Sequence, residues 1–381
     1  AAHSMGSNLW LYFMNWVTHP EGGNRDQEWI NHHVEAFLNI GGPLLGTAKV
    51  YASLFSGEMR DSALLGPLNR FIGKYTVVRV LRTFHSLMSI LPIGGNVIWG
   101  NLNEAPDDLT VPWTDRFGSY GRFLEISEGN GSFRNVTVES AMKDLMELGG
   151  TRFRKHYKNM YSDRIILNVS DGHAPPRDWS NPLATRLPNA PDMRIFCMYG
   201  VERETERGYI YRPHKRPLAD LLATPETRCA FDGEGDCDSD GWPDCQEFRV
   251  EYDIDTDAPA ALDCGRHHGT VSGDGDGTVP LLSLGFMCSR GWTDPDLPFN
   301  PARMKVITLE YPDRPSSIVE EQTIRGGSKS GDHVDIMGNY EMLDSLLRIA
   351  TDFDPPTEDK IHSKVREASA AVQLRNYGGV L

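Results

Sequence analysis

No part of the 381-residue sequence is apolar for long enough to cross a membrane. A spanning helix needs ~18 or more consecutive apolar residues, and the stretch Leu87 to Trp99 is broken by Pro92, Gly94 and Gly95. A surplus of positive charge is missing too. With 38 basic against 53 acidic residues the net charge is −15, which argues against nucleic acid as a partner, because phosphate contacts need a basic footprint. Internal repeats and low-complexity tracts are lacking, and a hydrophobic content of 39% with 24% charged residues excludes global disorder. The chain opens Ala1-Ala2-His3-Ser4 with no Met, signal peptide or anchor, so it reads as a fragment whose targeting information lies elsewhere. Its length suits one large domain with insertions, or two domains.

Cysteine is scarce, at six residues, but four of them (Cys229, Cys237, Cys245 and Cys264) crowd into one acidic stretch. That crowding favours an oxidising compartment. Three glycosylation sequons, at Asn130, Asn135 and Asn168, point the same way, to a lumenal or secreted setting.

Ser7 to Val17 is dense in Leu, Trp, Tyr, Phe and Met and predicts a buried helix after a tight turn. Val34 to Ile40, ended by Gly41-Gly42-Pro43, predicts a buried strand, as do Met193 to Val201 and Met304 to Tyr311. Leu44 to about Leu91 has the spacing of short helices. Residues 92–190 are rich in Gly, Pro and Asn and predict an irregular cap with few regular elements, Ile165 to Val169 being one candidate strand. A helix is expected from about Asp335 to Phe353, and then a polar surface tail. Strand, polar loop and helix thus alternate as in an open α/β sheet, where function collects at the carboxyl ends of the strands. The expected division is 1–42 for the first core segment, 43–190 for the cap, 191–353 for the rest of the core with an insertion at 229–264, and 354–381 for the tail.

Ala2-His3-Ser4-Met5-Gly6 matches the nucleophile elbow with Ala at its first small position. The elbow holds Ser in a strained turn from strand to helix, so the flanking residues must be small. The plain alternative is a Ser that caps a helix. A hydroxyl is a weak nucleophile and needs a base, which needs an orienting carboxylate, and in α/β-hydrolases the order is Ser, Asp, His. Asp276, within Ser272-Gly-Asp-Gly-Asp-Gly-Thr-Val-Pro280, is the candidate acid, with Asp274 as its rival and a solvated acidic turn as the bland reading. His333 follows the last strand and opens the last helix, where the base belongs. His3 is expected to point away from the serine and bond locally. The backbone N–H of Met5, next after the nucleophile, is the candidate oxyanion donor.

The segments AHSMG, NIGGPLLG, WSNPLATRLPNAPDMRIFCMYGV, GDGTVPLLSLGFMC and HVDIMGN resemble the lecithin:cholesterol acyltransferase superfamily, in its phospholipid:diacylglycerol acyltransferase branch. The resemblance runs from Ala1 to about Phe353 and is most specific around WSNPL. It implies an α/β-hydrolase fold, here lacking the N-terminal strands, with Ser4, Asp276 and His333 as the triad. It implies acyl transfer from a phospholipid donor to a diacylglycerol acceptor through an ester on Ser4, at a membrane surface in the endoplasmic reticulum lumen, with no cofactor for catalysis. It also implies a Cys197–Cys288 disulfide. A phospholipase or lipase would use the same triad with water as acceptor, and a third reading is an inactive calcium-binding fragment or pseudoenzyme. Without its preceding strands the fragment is expected to be inactive and unstable by itself.

The acidic insertion lies outside that resemblance. Asp236, Asp238, Asp240, Asp244 and Glu247 stand at positions 1, 3, 5, 9 and 12 of a calcium-loop pattern, with Gly241 at the turn and the Trp242 carbonyl at position 7. A structural calcium ion is expected there, against the alternative of a solvated acidic loop. Arg152, Arg154, Lys155 and Lys158 form a small basic face that suits either phospholipid headgroups or plain solvation.

Overall fold

A computed structural model describes residues 1–64, 74–110, 118–129, 131–167, 174–214, 249–261, 265–314 and 326–374. Two sheets organise them. The first holds β1 (Ala2–His3), β2 (Ala36–Ile40), β5 (Arg194–Val201) and β10 (Val306–Pro312), all parallel, in the order β1-β2-β5-β10. This is the central sheet of an α/β-hydrolase-type fold, and its three longer strands fall on the three apolar runs expected to form them.

Those strands are buried on both faces, as parallel strands under helices must be. Along β5, Ile195, Cys197, Tyr199 and Val201 point into the main core, while Phe196 and Met198 join Leu38, Ile40, Ile307, Leu309 and Tyr311 in a second cluster. The helix Tyr340–Thr351 covers that second cluster with Met342 and Ile349. It starts where Asn339 accepts hydrogen bonds from the Glu341 and Met342 amides, an N-cap that satisfies two first-turn donors.

The second sheet runs β4 (Phe133–Val136), β3 (Leu124–Ser127), β6 (Thr205–Pro213), β9 (Thr270–Gly273), β8 (Arg266–His267), with β7 (Tyr252–Ile254) also on β6. It bears on three expectations. Residues 92–190 are not poor in regular structure: besides β3 and β4 they form helices Val138–Leu148 and Gly150–Met160. In the first, Val138, Ala141, Met142, Leu145 and Leu148 recur at helical spacing and are buried, behind a Thr137 cap. The described part of Ile165 to Val169 is not a strand. The boundary at 190/191 separates cap from core in sequence but not in space, since β6 to β9 share a sheet with β3 and β4.

Short helices Ala48–Phe55, Arg60–Leu64, Lys74–Leu81 and His85–Met88 fall in the segment expected to hold them. The tail also needs correction. As far as it is described it packs: Lys360 bridges to Leu309 on the outer edge of β10, and Val365, Ala368, Val372 and Leu374 are buried. The carboxylate of Glu310, itself buried, draws the segment in by accepting from the Ser363 amide and hydroxyl, the His362 amide and the Tyr199 hydroxyl.

Cys197 and Cys288 form a disulfide, with Cα atoms 6.3 Å apart. It ties the middle of β5 to the end of the helical segment that begins at Leu281. A cross-link closing so long a loop is worth about 2–4 kcal/mol.

Candidate active site

Ser4 stands between β1 and the helix Met5–Thr18, with φ 55° and ψ −131°. A helix-capping Ser adopts extended backbone and accepts from a first-turn amide; Ser4 does neither. A non-glycine residue held at positive φ costs on the order of 1–3 kcal/mol, and such strain persists only where the surroundings over-determine it. Here the Ser4 amide donates to the Ile40 carbonyl at 2.9 Å, clamping the turn to the end of β2. Ala2 suits the first small position of the elbow, since a Cβ on Gly6 would still clear the Ala2 Cβ at 3.8 Å.

Released from capping, the Ser4 hydroxyl donates to His333 Nε2 at 2.8 Å. The other ring nitrogen, Nδ1, donates to Asp276 Oδ2 at 2.7 Å, which leaves Nε2 as the acceptor. Asp276 is 1% exposed, and its second oxygen accepts from the Thr278 and Val279 amides at 3.0 and 2.8 Å. The His333 amide in turn donates to the Asp276 carbonyl at 2.7 Å. A line of hydroxyl, imidazole and buried carboxylate can take a proton from Ser4 and stabilise the imidazolium that results. Met5 opens the helix, so its N–H belongs to the first-turn amides that lack an intrahelical acceptor.

Asp274 does a different job. It accepts from the Glu202 and Gly275 amides at 2.7 and 2.8 Å and shapes the turn before Asp276. Burial pushes its carboxyl up to about 6 from an ordinary 3.8. Ionising it therefore costs the native state stability, a penalty absent below about pH 4, growing up to about pH 6 and complete above it. Asp274→Asn keeps an acceptor oxygen and removes the charge. We expect this variant to exceed the parent in urea stability at pH 7 and to match it at pH 4; a loss at pH 7 would contradict the assignment.

Two neighbours escaped the sequence reading. Gly41, with φ +56°, lies so close that a Cβ there would meet His333 Nδ1 at 3.3 Å and Asp276 Oδ2 at 3.4 Å. The Gly-Gly-Pro that ends β2 was the visible signal, but it pointed only to a turn. His3 bonds not locally but across 330 residues, its Nε2 lying 2.7 Å from the His333 carbonyl. No periodicity could reveal that pairing.

Asp236, Asp238, Asp240, Trp242, Asp244 and Glu247 lie outside the described residues, as do Asn130 and Asn168. Asn135 is half-buried on β4. The basic residues 152, 154, 155 and 158 sit on the helix Gly150–Met160, away from Ser4, Asp276 and His333 in sequence, and Arg152, Lys155 and Lys158 are exposed to solvent.

Known proteins resemble this chain over most of its length. Phospholipid:diacylglycerol acyltransferase of Schizosaccharomyces pombe is 32% identical over 98% of the chain and 53% of that protein. The Saccharomyces cerevisiae protein of the same name is 32% identical over 92% of the chain and 48% of its own length. Phospholipid:diacylglycerol acyltransferase 1 of Arabidopsis thaliana is 30% identical over 98% of the chain and 62% of that protein. The chain thus spans 48–62% of the length of these relatives, about half of the two yeast proteins. The family description of lecithin:cholesterol acyltransferase matches residues 1–236, which include the elbow, β2 and β5. With an elbow serine, a hydrolase-type sheet and relatives of this closeness, the chain belongs to the lecithin:cholesterol acyltransferase family.

Proposed function

We propose that the chain carries the chemical centre of a phospholipid:diacylglycerol acyltransferase, with Ser4 as nucleophile, His333 as base and acid, and Asp276 as orienting carboxylate. The observation that carries this reading is the hydrogen-bonded line from Asp276 through His333 to Ser4 in its strained elbow. Ser4 Oγ attacks an ester carbonyl of a phospholipid and gives its proton to His333 Nε2, while the Met5 N–H donates to the oxyanion. Collapse expels lysophospholipid, which leaves with the proton from His333. A diacylglycerol hydroxyl then loses its proton to His333 and attacks the acyl-Ser4 ester. Triacylglycerol departs and Ser4 regains the proton. Transfer rather than hydrolysis follows the names of the relatives. Phospholipid labelled in its acyl chain, incubated with diacylglycerol and the full-length protein, should yield labelled triacylglycerol; labelled free fatty acid alone would overturn this in favour of a phospholipase.

Work at a membrane surface belongs to the same proposal. Apolar side chains stand exposed on the segments that follow both reacting residues in the chain, Met5 at 38% and Leu9 at 66% after Ser4, and Val334 at 58% and Met337 at 44% after His333. No helix among the described residues is long and apolar enough to cross a membrane. A place in the endoplasmic reticulum lumen is supported by the disulfide and the sequons. The acidic insertion is proposed to hold a structural calcium ion, because its carboxylates repel one another unless a hard cation neutralises them. Titration calorimetry on the oxidised protein should detect calcium binding that Asp236→Ala and Glu247→Ala abolish; no heat at millimolar calcium would defeat it.

A further inference from the structure

We propose that Arg203 is a positioning residue that locks the acid-bearing loop and the base-bearing loop of the triad into one unit; this rests on the triad reading above. Arg203 follows β5, and its backbone joins the acid loop: its amide donates to the Gly275 carbonyl and it forms an isolated parallel bridge with Asp276. Its side chain crosses to the base loop. One guanidinium nitrogen, Nη1, donates to Asp313 Oδ2 at 2.8 Å, and Nε lies 3.1 Å from Asp332 Oδ2.

Each of those carboxylates uses its other oxygen to hold backbone beside His333. Asp313 Oδ1 accepts from the Gly331 amide at 2.7 Å and from the Ser330 hydroxyl at 3.3 Å. Asp332 Oδ1 accepts from the Val334 amide at 3.1 Å and the Asp335 amide at 3.3 Å. The chain is therefore pinned on both sides of His333 by two acids, and one guanidinium pins those two acids to each other. A planar fork with several donors suits this task, whereas a lysine ammonium is a point charge. Asp313 and Asp332 are only 15% and 24% exposed, so without Arg203 two partly buried carboxylates would face each other and spread. Gly277 marks how closely the parts meet, since a Cβ there would lie 2.9 Å from the Arg203 side chain and 3.3 Å from Asp332 Oδ2.

Arg203 touches neither Ser4 nor the reacting ester in this arrangement; it acts through the distance between Nε2 and Oγ. A loosened base costs rate rather than binding, and a displacement near 1 Å can cost about 100-fold. The test is the rate at which a fluorophosphonate labels Ser4 in the full chain, which needs no acyl acceptor. Arg203→Ala should lower the maximal labelling rate about 10- to 100-fold while the reagent's half-saturating concentration stays within about twofold, and Arg203→Lys should recover part of the loss. Asp332→Asn should cost less in the Arg203→Ala background than in the parent, because the two share one link. His333→Ala serves as the control. If His333→Ala labels at the parental rate, the triad reading itself fails. If His333→Ala is silent but Arg203→Ala labels within twofold of the parent, this inference alone is overturned. Should Arg203→Ala not fold, the same comparison is made on Arg203→Lys, where an unchanged rate is equally fatal.

Discussion

Ser4→Ala, His333→Ala and Asp276→Asn are each expected to remove nearly all acyl transfer, a loss on the order of 10⁴-fold or more. The three act as a unit, so the double variant Ser4→Ala with His333→Ala should be no worse than either alone. Asp276→Asn is the sharpest of them. An amide at that position could no longer hold the Nδ1–H tautomer, and an Nδ1 forced to accept would leave the proton on Nε2, facing Ser4. Asp274→Asn should retain activity within a few-fold, since among the described residues its carboxylate accepts from the Glu202 and Gly275 amides and from neither Ser4 nor His333. The measurement is triacylglycerol formed from labelled phospholipid and diacylglycerol by the full-length protein. Near-normal transfer by Asp276→Asn, beside a silent Asp274→Asn, would exchange their roles.

The second large effect is expected from one methyl group. Gly200 on β5 runs against the loop that carries the base, and a Cβ there would lie 1.7 Å from the Gly331 carbonyl oxygen. Backbone cannot yield as a flexible side chain can, and Gly331 is held by Asp313 two residues before His333. Gly200→Ala must therefore move the loop by more than an ångström. Activity should fall about 100-fold, and stability by about 1–3 kcal/mol, the usual cost of overpacking. Gly338→Ala, with no atom within 4 Å of its added methyl, is the matched control and should leave both unchanged. Serine labelling and urea melts on the pair give the answer; equal behaviour of the two variants would show that the loop tolerates displacement.

The central sheet was legible because its strands are short runs of uninterrupted apolar residues, the mark of burial on both faces. The elbow, and the grouping of Ser4, Asp276 and His333 that the structure brings within hydrogen-bond reach, were legible because small residues and chain order constrain them. The second sheet was not, and the reason is charge inside the fold. β6 reads Thr-Glu-Arg-Gly-Tyr-Ile-Tyr-Arg-Pro, which no hydropathy pattern would bury. Yet Arg207 is 1% exposed, donating to Asp107 at 2.8 Å, and Arg266 meets Glu125 through both oxygens, at 2.7 and 2.6 Å. Each charge is tolerable only because its partner arrives from a distant part of the chain, and such pairing leaves no trace in local sequence. The C-terminal segment misled in the same way: it looks polar, but its amides and a hydroxyl serve the buried carboxylate of Glu310.

That carboxylate also sets an order of events during synthesis. β10 can pair with β5 as soon as both have left the ribosome, but at that moment Tyr199 is the one donor to Glu310 already made among those named above, and the carboxylate still needs water as its partner. Burying a charge without its partners costs several kcal/mol, so this end of β10 cannot be covered until other donors replace that water. Residues 359–363 bring the remaining donors and also cover the outer edge of β10, through Lys360 beside Leu309. The loop with His333 lies between β10 and those residues in the chain, and is therefore already made when they arrive. Full burial of β10, whose end leads towards the base loop, thus waits until translation has passed the base by some thirty residues, and a nascent chain stopped short of that point is expected to label its serine more slowly.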